Sequence, residues 1–164
     1  MNSKKLFIWG FLFVSVIGTL LHFVYEWSGN NSIVRLFVPW NESTWEHMKL
    51  LFFPMLALVL FLFFKLPEQS PIPVALSIGT LVGLALIPIL FYTYTGVLGF
   101  SVMAIDIAIF YISVLGAFLI GWFLKDNREL ANRRGLLLTC LVILAILFFI
   151  FSYYPPGIGL FQEP

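Results

Sequence analysis

Apolar residues run through this chain in blocks too long for a soluble core, and polar residues gather in the gaps between them. Five blocks stand out, roughly Leu6–Trp27, Glu42–Phe64, Val74–Tyr94, Val102–Leu124 and Leu136–Tyr154. Each has the length of about 20 residues that a helix needs to cross a ~30 Å hydrocarbon layer at 1.5 Å per residue. The separators carry breakers: LPEQSPIP after the second block, TGVLG after the third and KDNRELANRRG after the fourth. Between the first two blocks lies SGNNSIVRLFVPW, residues 28–40. Its Ser-Gly-Asn-Asn turn, apolar stretch with one arginine and Pro-Trp end predict an interfacial or re-entrant segment. Lipid gives the backbone no hydrogen-bond partners, so the spans are predicted to be helices; barrel-type alternation is absent. No internal repeat is visible. The pattern predicts an all-α polytopic transmembrane helical bundle of about five spans, with residues 1–164 as one domain.

Composition agrees. The chain is 61% hydrophobic and 10% charged, with mean hydropathy +1.02, against about a quarter charged in a soluble domain. The first block is longer than a signal-peptide core and no small-x-small site follows it, so it reads as a retained span. A net charge of +1 gives no reason to expect nucleic acid as a partner; the expected environment is a lipid bilayer. The single cysteine, Cys140, reads as a buried structural thiol. If the helices alternate, Lys4, Lys5, Lys65, Lys125, Arg128, Arg133 and Arg134 share one side, and only Arg35 and Lys49 take the other. The positive-inside rule then predicts a cytoplasmic N-terminus and an extracytoplasmic C-terminus.

That topology sorts the polar groups. Glu68, Asp126 and Glu129 become solvated cytoplasmic loop charges. Glu26, Glu42, Glu46, Asp106, Glu163, His22 and His47 all map to the outer side. Groups far apart in sequence are therefore expected to share one leaflet, and one pocket. HFVYEW places His22 and Glu26 one helical turn apart on the same face. A ring bonded to a nearby carbonyl, with Glu26 in the headgroups, explains them as structure; a shared metal or proton explains them as a site.

NESTWEH, residues 41–47, poses the same choice more sharply. Ser43-x-x-Glu46 fits a capping box, Asn41 is itself a good N-cap, and Glu42 and Glu46 suit the positive end of a helix dipole. Capping leaves His47 and the Glu42/Glu46 spacing unexplained, and together with Ser43 these predict a polar face about 100° wide on a helix of 3.6 residues per turn. Asp106, within VMAIDIAIFY, costs about 2.5–3.5 kcal/mol if left ionised and unpaired in the membrane. It is expected to be protonated or paired with Arg35, Lys49, His22, His47 or a cation. PILFYTYTG ends the third block with hydroxyls and belt tyrosines at the same level, and Pro88 within it can free a carbonyl. Gly79 and Gly83 form a small-xxx-small pair that predicts close helix packing. The tail cannot stay helical past Pro155-Pro156 and is expected to fold back over the outer mouth.

Taken together, HFVYEWSGNN, NESTWEHMKLLFFP, FYTYTG, DIAIFYISV and YYPPGIGLF resemble a family of small bacterial multi-pass membrane proteins classed as a domain of unknown function and marked by an N-E-S-x-W-E-H block. The likeness covers nearly the whole chain. It implies a multi-pass protein of the bacterial cytoplasmic (plasma) membrane and no particular activity. In that pattern the segment before the block ends Pro-Val where this chain has Pro39-Trp40, and members of the family continue past the closing Pro-Pro segment, so Glu163-Pro164 is expected to be a shortened end. Known intramembrane hydrolases fit poorly: ceramidase-like enzymes use three histidines, and H-E-x-x-H and G-x-S-x-G are absent.

Three functions remain open. The first is an extracytoplasmic metal or proton site drawn from His22, Glu26, Glu42, Glu46, His47 and Asp106, with zinc first among divalent metals and manganese, iron or calcium behind it. In that case Glu46 and Asp106 are the expected catalytic carboxylates of a membrane-embedded metal-dependent hydrolase. The second is an accessory or structural subunit whose mouth binds a partner protein or a second copy of the chain. The third is a cation- or proton-coupled transporter, which the apolar inner halves of the spans disfavour.

Overall fold

The computed structural model describes residues 2–164 and is all-α. Five helices are long and apolar enough to cross a membrane: α1 (Ser3–Trp27), α2 (Thr44–Lys65), α3 (Ile72–Leu98), α4 (Met103–Leu124) and α5 (Arg134–Tyr153). All five predicted spans are present, and no strand occurs among the described residues.

Local chemistry sets the boundaries. The linker after α1 turns through Gly29 and Asn30, both with left-handed backbone (φ 69° and 61°), and makes a 3-10 turn at Val34–Leu36. The second helix starts at Thr44, two residues later than expected. Asn41 Oδ1 accepts from the Ser43 N–H at 3.1 Å, and Ser43, with extended backbone, caps the Glu46 N–H at 3.4 Å. Helix α3 runs four residues beyond the predicted Tyr94 and stops at Gly99, whose φ of 81° needs no side chain to clash. Thr93 and Thr95 there bond back to the Ile89 and Phe91 carbonyls. They serve their own helix rather than a site.

Helices α2 and α3 form the centre. Leu51, Phe52, Met55 and Val59 of α2, and Val74, Ala75 and Leu76 of α3, have no exposed surface. One apolar core continues from these into α1, α4 and α5. The outer faces of those three helices are greasy: Trp9 is 68% exposed and Phe123 77%. Water would not tolerate such a surface, but lipid does, so the molecule is compatible with an integral membrane protein. At one end Arg134 donates to the Phe63 carbonyl at 2.8 Å, so the basic α2 C-terminus and α5 N-terminus meet. At the other, Tyr153 donates to the Ser32 carbonyl at 2.7 Å, joining the α1–α2 linker to the end of α5. The tail after Pro155-Pro156 folds back as expected, with Phe161 packed on Trp45 (centroids 4.9 Å) at the start of α2.

The predicted glycine pair packs as sequence suggested. A β-carbon at Gly79 would lie 2.1 Å from the Ala117 carbonyl oxygen of α4, and one at Gly83 2.9 Å from that of Ser113. Backbone meets backbone along this seam, and no rotamer change can relieve a clash there. Gly79→Ala is therefore expected to lower the melting temperature in detergent by several degrees, whereas Gly96→Ala, with nothing within 4 Å of its added carbon, leaves it unchanged or raised. Thermal unfolding followed by circular dichroism measures both.

Candidate metal or proton site at the bundle mouth

The six carboxylates and imidazoles expected in one pocket fall into separate groups at the same end of the bundle. The last turns of α1 and the first turn of α2 bring His22 and His47 together, and the linker delivers Glu42 beside them. His47 Nε2 lies 3.3 Å from His22 Nε2 and 3.4 Å from Glu42 Oε2, and one ligand atom from each of the three residues falls within 4.8 Å of the others. Helical geometry orients the ring: His47 Nδ1 faces the Ser43 carbonyl, one turn back, at 3.1 Å. A carbonyl only accepts, so Nδ1 carries the hydrogen. In the neutral ring Nε2 then offers a lone pair toward His22 and Glu42. Metal-binding histidines are usually oriented by this kind of second bond.

Glu26 does not join the trio. It lines a cleft with His22, Tyr25, Trp40 and Glu42, and its carboxylate is in no ion pair among the described residues. The cleft is small and open, about 140 Å³.

Glu46 goes elsewhere. Because Glu42 precedes the helix, the expected Glu42/Glu46 stripe does not form; Glu46 is 2% exposed and points inward. The capping box is only half made, since the Glu46 carboxylate reaches Lys49 instead of the Ser43 N–H. Lys49 is fully buried. Its ammonium has three hydrogens, and three acceptors lie close to it: Glu46 Oε2 at 2.6 Å, Ser152 Oγ at 2.6 Å and the Arg35 carbonyl at 2.9 Å, with the Val38 carbonyl farther off at 3.5 Å. They come from α2, α5 and the linker. Ser152 in turn donates to the Phe148 carbonyl at 2.8 Å and lies 3.4 Å from Glu46 Oε1. Arg35 donates through Nη2 to the Ser152 carbonyl. With the Lys49 hydrogens and Glu46 Oε2 engaged, this group is a junction between elements, and Glu46 is not among the residues that line the cleft.

Asp106 forms the third group. In the first turn of α4, half-buried, it accepts a hydrogen bond from Tyr94 of α3, whose oxygen also accepts from the Val102 N–H at 3.0 Å. The partner is none of the cations or histidines expected but a tyrosine read from sequence as part of the aromatic belt. The site residues that sequence reasoning missed are Lys49, Ser152 and Arg35 as one network, and Tyr94. Lys49, set in MKLLFFP with apolar residues on either side, carried the available signal. Deeper in the bundle, the hydroxyls of Ser77 and Thr80 bond to carbonyls of their own helix, Pro73 and Leu76, and so contribute no link in a polar route.

The family model described as a family of unknown function (DUF6512) matches residues 1–164. No curated protein and no solved structure matches the chain.

Breaking a buried pair by removing one partner costs about 3–5 kcal/mol, while replacing both with apolar groups of like size is often neutral. Lys49→Met alone is expected to lose stability on that scale. Lys49→Met combined with Glu46→Leu recovers most of the loss. Denaturation in mixed micelles, as a double-mutant cycle, gives the coupling.

Proposed function

The chain belongs to the DUF6512 family, a family of unknown function, over residues 1–164, and we propose that it is a membrane metalloprotein whose His22, His47 and Glu42 hold one divalent cation at the extracytoplasmic headgroup level. The observation that carries the reading is the Ser43–His47 bond, which turns an imidazole lone pair toward a second imidazole and a carboxylate. Three acceptors facing one another repel unless a proton or a cation lies between them.

The spacing supports a metal. Zinc bonds nitrogen and oxygen at about 2.0–2.1 Å, and two ligands of a tetrahedron at that radius are about 3.3–3.4 Å apart. Two of the three separations, 3.3 and 3.4 Å, match that edge, while His22 and Glu42 stand farther apart, within 4.8 Å, and would close by a small side-chain movement. Two histidines and one glutamate also match the donor set of catalytic zinc sites, which leave a fourth position for water or substrate. Iron or manganese would accept the same face with more open positions.

A bound cation here would supply a nucleophilic water at neutral pH and polarise a substrate oxygen, the chemistry of a metal-dependent hydrolase. Glu26, outside the trio on the same cleft, is the carboxylate best suited to take a proton from that water. It replaces Glu46 and Asp106, the catalytic carboxylates suggested by sequence, in this role: both are engaged by partners of their own, Lys49 and Tyr94. A cleft of about 140 Å³ is well short of the roughly 300–1,000 Å³ that encloses a small-molecule ligand. The substrate is then one that meets the metal from outside, such as a lipid headgroup or an envelope component. A proton shared by the two imidazoles is the second reading, favoured by the 3.3 Å between their nitrogens, which is also a hydrogen-bond length.

Elemental analysis of detergent-purified protein after metal supplementation tests the proposal. About one zinc-type ion per chain is expected, falling to background in His47→Ala and in Glu42→Gln, the latter in a side chain 63% exposed whose change should leave the fold intact. Sub-stoichiometric metal in the wild type, indifferent to both changes, sinks the metal reading and leaves the proton.

A further inference from the structure

We propose that Arg35 forms a second binding site, for the phosphate of a phosphodiester lipid headgroup. It stands apart from the metal reading and uses none of the same side chains.

The residue sits on the 3-10 turn of the α1–α2 linker. Its guanidinium carbon lies 3.7 Å from the centre of the Trp40 ring and 4.8 Å from that of Tyr153. One Nη2 hydrogen goes to the Ser152 carbonyl, and Nε is buried without a partner. The planar group is thus held in place by two aromatic rings and one backbone oxygen. A guanidinium has five N–H donors. With one committed and Nε enclosed, the Nη edge keeps three.

No carboxylate among the described residues lies within ion-pair distance of Arg35. Glu46, the buried carboxylate of the network that includes the Arg35 carbonyl, is paired with Lys49 at 2.6 Å. Lys49 is thus neutralised by its carboxylate, and the charge of Arg35 is left without a counter-ion among the described residues. Its neighbours along the turn are apolar and outward: Ile33 is 68% exposed and Phe37 44%. A fixed cationic fork flanked by exposed apolar side chains suits the boundary between acyl chains and headgroups. Phosphate oxygens match the fork, which arginine engages through parallel N–H groups. Free phosphate offers the same oxygens, but the apolar flanks add affinity only for a ligand that carries acyl chains.

Native mass spectrometry of the detergent-solubilised full chain tests this with three probes: phosphatidylglycerol, a phosphate-free galactosyl diacylglycerol and inorganic phosphate. The wild type is expected to retain phosphatidylglycerol at least about tenfold over the galactolipid, the margin of one charge-assisted hydrogen bond. Arg35→Gln abolishes the preference and Arg35→Lys, which keeps the charge and loses the fork, weakens it. A metal chelator leaves it unchanged, which separates this site from the metal trio. Equal retention of both lipids, or a full preference in Arg35→Gln, overturns the proposal and leaves the two aromatic rings and the Ser152 carbonyl as the cation's partners. Displacement of lipid by millimolar phosphate overturns the lipid assignment in favour of a free anion. Should Arg35→Gln fail to fold, by its melting curve, the lysine variant and the galactolipid comparison decide.

Discussion

An ammonium group with no access to solvent governs how this end of the molecule is built. Lys49 is enclosed on every side, and a charge taken out of water costs several kcal/mol unless all of its hydrogens find acceptors. Its three acceptors come from α2, α5 and the linker, so the arrangement that satisfies the ammonium is also the one that seats those elements together. Apolar packing alone would not do this. Inside a bilayer the helices gain little from burying grease against grease, and directional polar contacts carry more of the specificity.

The same junction sorts the carboxylates. By drawing Glu46 inward, Lys49 leaves Glu42 and His47 as the outward polar groups at the start of α2. The Ser43 carbonyl then fixes the direction of the His47 ring. The start of α2 therefore holds a closed ion pair facing the core, and on its other side His47 meets His22 of α1 and Glu42 of the linker. Tyr94 and Asp106 make a similar closed contact between α3 and α4. The mouth is assembled from a few satisfied polar junctions and one cluster of two imidazoles and a carboxylate.

Much of this was legible in sequence. Block lengths gave the five spans to within a few residues, since hydrocarbon thickness fixes them, and Gly79 and Gly83 announced the α3–α4 seam. Residues far apart in the chain do meet, as His22 and His47 show. Other features were hidden for identifiable reasons. Helical spacing paired Glu42 with Glu46, but the Asn41 turn places Glu42 outside the helix, and local hydrogen bonds of that kind override periodicity. Lys49 was read as a marker of orientation, because a sequence gives a lysine its charge without its depth. Asp106 was expected to be protonated or to have a cationic or histidine partner, on electrostatic grounds, whereas the Tyr94 phenol one helix away supplies the hydrogen bond. The Ser152 contribution had no local signal: a serine in FIFSYYPP is unremarkable until Lys49 is known to face it.

That last contact has a bearing on how the protein is made. Lys49 and Ser152 are separated by 103 positions, so the ribosome delivers the lysine to the membrane long before the serine exists. During that interval Glu46, within the same helix, is already beside it. The bundle cannot reach its final form as the spans emerge one by one; the mouth closes only after the last span has been translated and has slid into place beside the second.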